Sequence, residues 1–197
     1  MDEATLVELL QATGLAIALA ACAGIRAWLP LLLAGSMHRL GLLQLGSSFD
    51  FLGSNRALAI FGVATVLEIV GDKIPAVDHG LDAISTLLRP LAGAMLAASV
   101  LGRFTDPLTA VALGVAGGAP TAIVPHVAKS GLRALSTTLT AGLANPVISL
   151  LEDLLALALF VLAVAIPLVV VAGLVLVIFF AARRYSRRPP QNLVRVA

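Results

Sequence analysis

From Leu154 to Ala182 the chain runs 29 residues without a charged side chain. As one helix, at about 1.5 Å of rise per residue, that run would measure about 43 Å, longer than a bilayer hydrocarbon core of about 30 Å. It must therefore tilt, kink near Pro167 or project beyond the membrane, with Gly173 as a second soft point. The rest of the chain has the same character. Of 197 residues, 59% are hydrophobic and 12% charged, where a soluble domain carries about 25% charged residues. The mean hydropathy is +1.02. A chain this short cannot hide so much apolar surface in one aqueous core. The expected fold is an all-α integral membrane protein, a compact bundle of about 5–7 transmembrane or re-entrant helices in the cell (inner or plasma) membrane.

The other apolar segments are shorter and interrupted. Thr5 to Gly24 reads as a first helix, and Ile25 to Leu45 as a second, broken by Arg26, Pro30, His38 and Arg39. Asn55 to Val70, ending at Gly71, is a third, and Ala83 to Leu101 a fourth. Leu108 to Val127 is broken by Gly117-Gly118 and Pro120, and Leu132 to Leu151 by Asn145-Pro146. Small residues such as Gly14, Ala18, Gly93, Ala97, Gly114 and Gly118 let helices approach closely. They mark packed faces, compatible also with a homo-oligomer. A shift of 94 pairs Ala18-Leu19 with Ala112-Leu113, Gly24 with Gly118 and Arg39 with Arg133. This faint repeat divides a single membrane domain, residues 1–182, into halves at 5–82 and 104–182.

A basic tail, residues 183–197, follows. Arg183, Arg184, Arg187 and Arg188 cluster there, which is expected of the cytoplasmic end of a span and suits contact with anionic lipid headgroups. With Tyr185 as its one aromatic, so short a tail is a poor nucleic-acid binder. The lone cysteine, Cys22, lies inside an apolar helix, which rules out an intrachain disulfide. The acidic N-terminus lacks the basic region of a cleavable signal, so the first helix is expected to be retained.

Two polar clusters stand out. In the first, Glu68 to Asp82, Glu68 and Asp72 are four apart and share a helix face. Asp78 and Asp82 repeat that spacing as a secondary acidic cluster. Gly71 suits a helix end and Pro75 a helix start. In the second, Asn145 suits an N-cap and Pro146 a first helical position, while Ser149, Glu152 and Asp153 share a face. Carboxylates near helix breaks can hold a hard cation or carry a proton. The candidate cation or proton site is therefore Glu68, Asp72, Asn145, Ser149, Glu152 and Asp153, with Arg26 and Lys73 tuning its charge. The alternative sets these groups as interfacial caps or internal ion pairs, with Arg26 neutralising a membrane acid. His38, His79 and His126 are scattered singly and lack zinc-ligand spacing. No Walker loop, nucleophile elbow or dinucleotide fingerprint occurs, which disfavours transport powered by the chain's own nucleotide hydrolysis. No cofactor is expected, and an enzyme using Asp78, His79 and Asp82 for acid–base work at the interface is the least favoured reading, since nothing fixes a nucleophile or a substrate.

Three segments carry a resemblance: Gly24-Ile-Arg-Ala-Trp-Leu-Pro30, Glu68-Ile-Val-Gly-Asp-Lys-Ile-Pro-Ala-Val-Asp78 and Gly142-Leu-Ala-Asn-Pro-Val-Ile-Ser-Leu-Leu-Glu-Asp153. In them the chain resembles the bacterial membrane family called domain of unknown function 4126, over roughly Leu6 to Leu176. That resemblance implies a membrane fold and no activity. Glu68 to Lys73 is also faintly similar to the Glu-x-Gly-Asp-(Lys/Arg)-(Thr/Ser) motif of manganese/calcium–proton exchangers. Here there is one extra residue before Gly71, Ile74 replaces the hydroxyl, and the second half has no copy.

Two functions follow. One is a small secondary transporter or channel for a cation or protons. The other is a non-transporting membrane protein, lipid-binding or an assembly factor, whose polar clusters are structural. Pairing separates them. Acids lining a wet cavity without counter-charges favour transport, whereas Glu68 and Asp153 paired with Arg26 and Lys73 in a dry interior favour structure.

Overall fold

The computed structural model describes residues 3–72 and 75–166 and, beyond them, residues 173, 176, 179, 180, 183 and 184; for 75–83 it describes the backbone alone. Lys73, Pro167, Arg187 and Arg188, and the side chains of Asp78, His79 and Asp82, thus lie outside the described residues. The helices are α1 (Glu3–Ile25), α2 (Trp28–Arg39), a 3-10 helix (Ser47–Gly53), α3 (Asn55–Gly71), α4 (Pro75–Leu101), α5 (Pro107–Leu113), a π turn (Gly114–Gly118), α6 (Ala119–Thr140) and α7 (Asn145–Ala165). There is no strand among the described residues. Four stretches are long and apolar enough to cross a membrane: α1, Ile84–Leu101 of α4, Pro107–Thr140 and α7. The 3-10 helix and α3, bent by 57°, make a fifth if taken as one span.

α1 is the central post. It packs on α4, α6 and α7, and Ala18, Leu19, Ala20, Cys22 and Ala23 are wholly buried. Glycines set the closeness. A Cβ on Gly24 would lie 2.2 Å from the Ala122 carbonyl oxygen, and one on Gly118 2.5 Å from that of Gly93. Small residues let backbones touch where lipid supplies no hydrophobic drive to association.

The segment Ile25 to Leu45 does not cross. The first helix stops at Ile25, and α2, at 12 residues, is about 18 Å long. The chain then turns back, with the Gly46 N–H donating to the Ser99 carbonyl at 2.7 Å near the end of α4. Arg39 bonds Asn55 at the start of α3. Glu68, in the last turn of α3, lies against the start of α2, so these two helices run antiparallel.

The expected helices at 108–127 and 132–151 are corrected. Residues 107–140 form one continuous rod, and the chain reverses at 141–144. Gly117-Gly118 widens a single π turn and does not end the rod, since the backbone bonds there shift register and are kept. The reversal instead uses left-handed conformations at Ala141 (φ 53°) and Gly142 (φ 83°). Asn145 is not the N-cap of α7. Ala144 holds that position, and the Asn145 amide donates to the Thr137 hydroxyl at 3.2 Å. α7 ends early in the long apolar run. Ile166, at φ −145° and ψ 73°, has left the helix just before Pro167, where proline disfavours helical backbone in the preceding residue.

At the start of the long rod, Asp106 caps α5 by accepting from the backbone N–H groups of Leu108 and Thr109 at 3.1 and 3.0 Å. Hydrogen bonding from the Thr109 side chain, then from its backbone, holds the exposed Asp106 carboxyl below the usual range. A carboxyl lowered by folding contributes stability above its unfolded pKa and loses it as pH falls through the folded one. Asp106→Ala is therefore expected to lower the melting temperature at neutral pH. The gap to wild type should close in acid, which melting curves across pH would measure.

Candidate functional site

The two sequence clusters converge. Arg26 follows α1 directly and is wholly buried. Its Nη1 pairs with Asp72, the C-cap of α3, and its Nη2 lies 2.6 Å from the Asp153 carboxylate of α7. The same Nη2 donates to Ser149 Oγ at 3.0 Å. The four-residue step between Ser149 and Asp153 is what brings both to one guanidinium.

Three basic groups outside the predicted site complete the network. On α6, Lys129 and Arg133 donate to Asp72 Oδ2 at 3.3 and 2.9 Å and meet Glu152 Oε2 at 3.0 and 2.9 Å. On α4, Arg89, also wholly buried, lies 3.8 Å from Glu68. Arg89 Nη1 is 2.5 Å from His126 Nδ1. A guanidinium can only donate, so Nδ1 accepts, and Nε2–H is left to donate to Thr86 Oγ1 at 3.2 Å. Among the described residues, Arg26, Arg89, Lys129 and Arg133 thus face Glu68, Asp72, Glu152 and Asp153, and the charges balance. Of the eight side chains only Asp153, at 16%, is more than a tenth exposed.

Glu68 has a second role. Its two oxygens accept from the backbone N–H groups of Ala27 at 3.1 Å and Trp28 at 3.3 Å. Lys129 reaches the Ile25 carbonyl at 3.5 Å. A helix broken inside a membrane leaves donors at its restart and acceptors at its end that lipid cannot satisfy. Here a carboxylate covers the positive end of α2 and an ammonium the negative end of α1, each the sign favoured by the helix dipole.

The network lies within the apolar part of the bundle, away from its charged end. Exposed Arg56 and, just past the end of α4, Arg103 mark one polar rim; Arg56 is about 18 Å along α3 from Glu68, and Leu101, the last residue of α4, about 18 Å along it from Arg89. In the other direction, Thr140 lies about 10 Å along α6 from Arg133. Exposed Leu132, Leu135, Leu150, Leu151 and Leu154 clothe the outside of α6 and α7 at this level. On the α6 and α7 side the polar groups thus lie behind an apolar surface.

Of the predicted site, Glu68, Asp72, Ser149, Glu152, Asp153 and Arg26 come together. Asn145 stands apart at the start of α7, on Thr137. No three His, Cys, Asp or Glu side chains converge in a metal-binding arrangement among the described residues. Sequence reasoning missed Lys129 altogether and gave no site role to Arg89, His126 or Arg133. The signal was present: His126, Lys129 and Arg133 follow at steps of three and four in an otherwise uncharged rod, which places them on one face.

Residues 13–187 match the model of the family described as "Domain of unknown function (DUF4126)". No curated protein and no solved structure matches the chain.

Proposed function

Because the chain belongs to this family, whose description carries no activity, we propose its function from the geometry: a non-transporting membrane protein whose polar interior is an electrostatic clasp. The clasp holds α3, α4, α6 and α7 to the broken junction of α1 and α2, leaving the outer surface to act on lipids or partner proteins. The observation that carries this reading is the pairing of every buried acid in the network with a buried base. A hard cation entering here would have to displace ammonium and guanidinium groups already bonded to the carboxylates. Exposed Arg183 and Arg184 fit contact with anionic headgroups, and Arg183 lies over the Phe179 ring, 5.4 Å from its centre.

One observation favours the rival reading of cation or proton transport. The helix break at Arg26 is of the kind around which secondary transporters place their sites. A cation screen on purified protein in detergent decides between the two, following thermal stability with Mn²⁺, Ca²⁺, Mg²⁺ and Na⁺. A ligand that binds only the folded state must raise apparent stability. The expected result is no ion-selective shift, with Glu68→Gln/Asp153→Asn less stable under all salts. A saturable shift with one cation, lost in that variant, would make the acids a transport site.

A further inference from the structure

Between α1, α4 and the π turn lies a cavity of about 340 Å³, lined by Thr13, Ala16, Ile17, Ala97, Leu101 and Gly117 among others. Its polar capacity is already used. The Thr13 hydroxyl donates to the Leu9 carbonyl at 2.8 Å, and the remaining side chains are aliphatic or absent. The π turn helps to open it, because a Cβ on Gly117 would meet nothing within 4 Å. The groove is bounded at one end by Leu101, the last residue of α4. Two residues further stands Arg103, exposed, its Nη2 donating to Gln44 at 2.9 Å and its guanidinium over the Phe104 ring at 5.2 Å. Among the described residues Arg103 has no carboxylate partner, unlike Arg26 and Arg133 of the interior.

We propose that this groove holds part of one acyl chain of a membrane phospholipid whose phosphate sits on Arg103. The groove lies between helices that cross the membrane, so hydrocarbon is what reaches it, and a dry, aliphatic lining suits hydrocarbon. A guanidinium held in place by a ring face and an amide carbonyl, with donors to spare, suits a phosphate at the polar rim. This site is separate from the interior network and does not depend on whether the protein transports.

The test uses the full chain in vesicles containing phosphatidylglycerol with a diazirine in its acyl chain, and labelled residues are mapped by mass spectrometry. Labelling is expected to be concentrated at Ala16, Ile17 and Ala97 above the lipid-facing Leu150 and Leu154 of α7. Gly117→Leu adds a side chain at the groove wall, where a Cβ meets nothing within 4 Å, and an unchanged melting curve would verify its fold. In that variant groove labelling should fall to the α7 level. Arg103→Gln should weaken groove labelling about fivefold, as should a diacylglycerol probe that lacks the phosphate. Wild-type labelling no higher in the groove than on α7, or unchanged by Gly117→Leu, would overturn the site. Equal labelling by the two probes would overturn the assignment of the phosphate to Arg103.

Discussion

Arg26→Met is expected to destabilise the protein by about 3–5 kcal/mol, the range for removing one partner of a buried ion pair. The cost comes from what stays behind. Asp72, Asp153 and Ser149 all turn oxygens toward this guanidinium, which is itself wholly buried. Reversible unfolding in mixed detergent micelles would measure the loss. Adding Asp153→Asn to Arg26→Met restores the charge balance and should recover at least about 1 kcal/mol, a coupling within the range for residues in one network. Arg26→Lys should fall between wild type and Arg26→Met, because an ammonium keeps the charge but cannot reach Asp72 and Asp153 from two separate nitrogens. A stable Arg26→Met protein would remove the basis for an electrostatic clasp. The large penalty does not mean that the network is the most stable filling for this space. Well-packed apolar residues often replace buried ion pairs at no cost. What such residues could not do is cover the N–H groups of Ala27 and Trp28, which is the part Glu68 plays in keeping α2 where it is.

Gly24→Ala should also be costly, by about 1–3 kcal/mol for forced overpacking. The added methyl would lie 2.2 Å from the Ala122 carbonyl oxygen and 2.9 Å from its carbon. Both are backbone atoms of a long helix, so neither can swing away. Relief requires α1 and α6 to separate, which would also pull Lys129 from Ile25. Gly62→Ala and Gly131→Ala are the controls, since a Cβ at either position meets nothing within 4 Å. There the better helix propensity of alanine should leave stability unchanged or raise it by up to about 1 kcal/mol. The same unfolding measurement on the three variants separates close packing from propensity. Equal effects at Gly24 and Gly62 would show that the α1–α6 contact is looser than 2.2 Å implies.

These two effects meet at the end of α1. Gly24 lets α6 come near, and Arg26 and Lys129 then hold the charges that the approach brings together. Two residues apart, one glycine and one arginine connect the apolar packing of the bundle to its ionic interior.

The membrane setting, the helical class and several boundaries were determined by the sequence alone. Apolar runs of membrane length demand backbone bonds satisfied within the segment, so the helices read as Thr5 to Gly24 and Asn55 to Val70 fall within two residues of those at Glu3–Ile25 and Asn55–Gly71, and a new helix starts at Pro75 as read. The acids Glu68, Asp72, Glu152 and Asp153 were conspicuous for the same reason, because charge is rare in such runs. Tertiary structure decided their partners. Asp72 and Arg133 are far apart in the chain, and Arg26 and Asp153 further still. No local spacing predicts which base crosses to which acid, since that depends on how closely α1, α4 and α6 can approach. It also decided that Gly117-Gly118 widens a helix, that the chain reverses at 141–144, and that α2 turns back. A glycine pair only permits a break. Whether the chain takes it depends on whether neighbouring helices can satisfy the backbone groups a break would expose, as Glu68 and Lys129 do at Arg26 and nothing needed to do at Gly117.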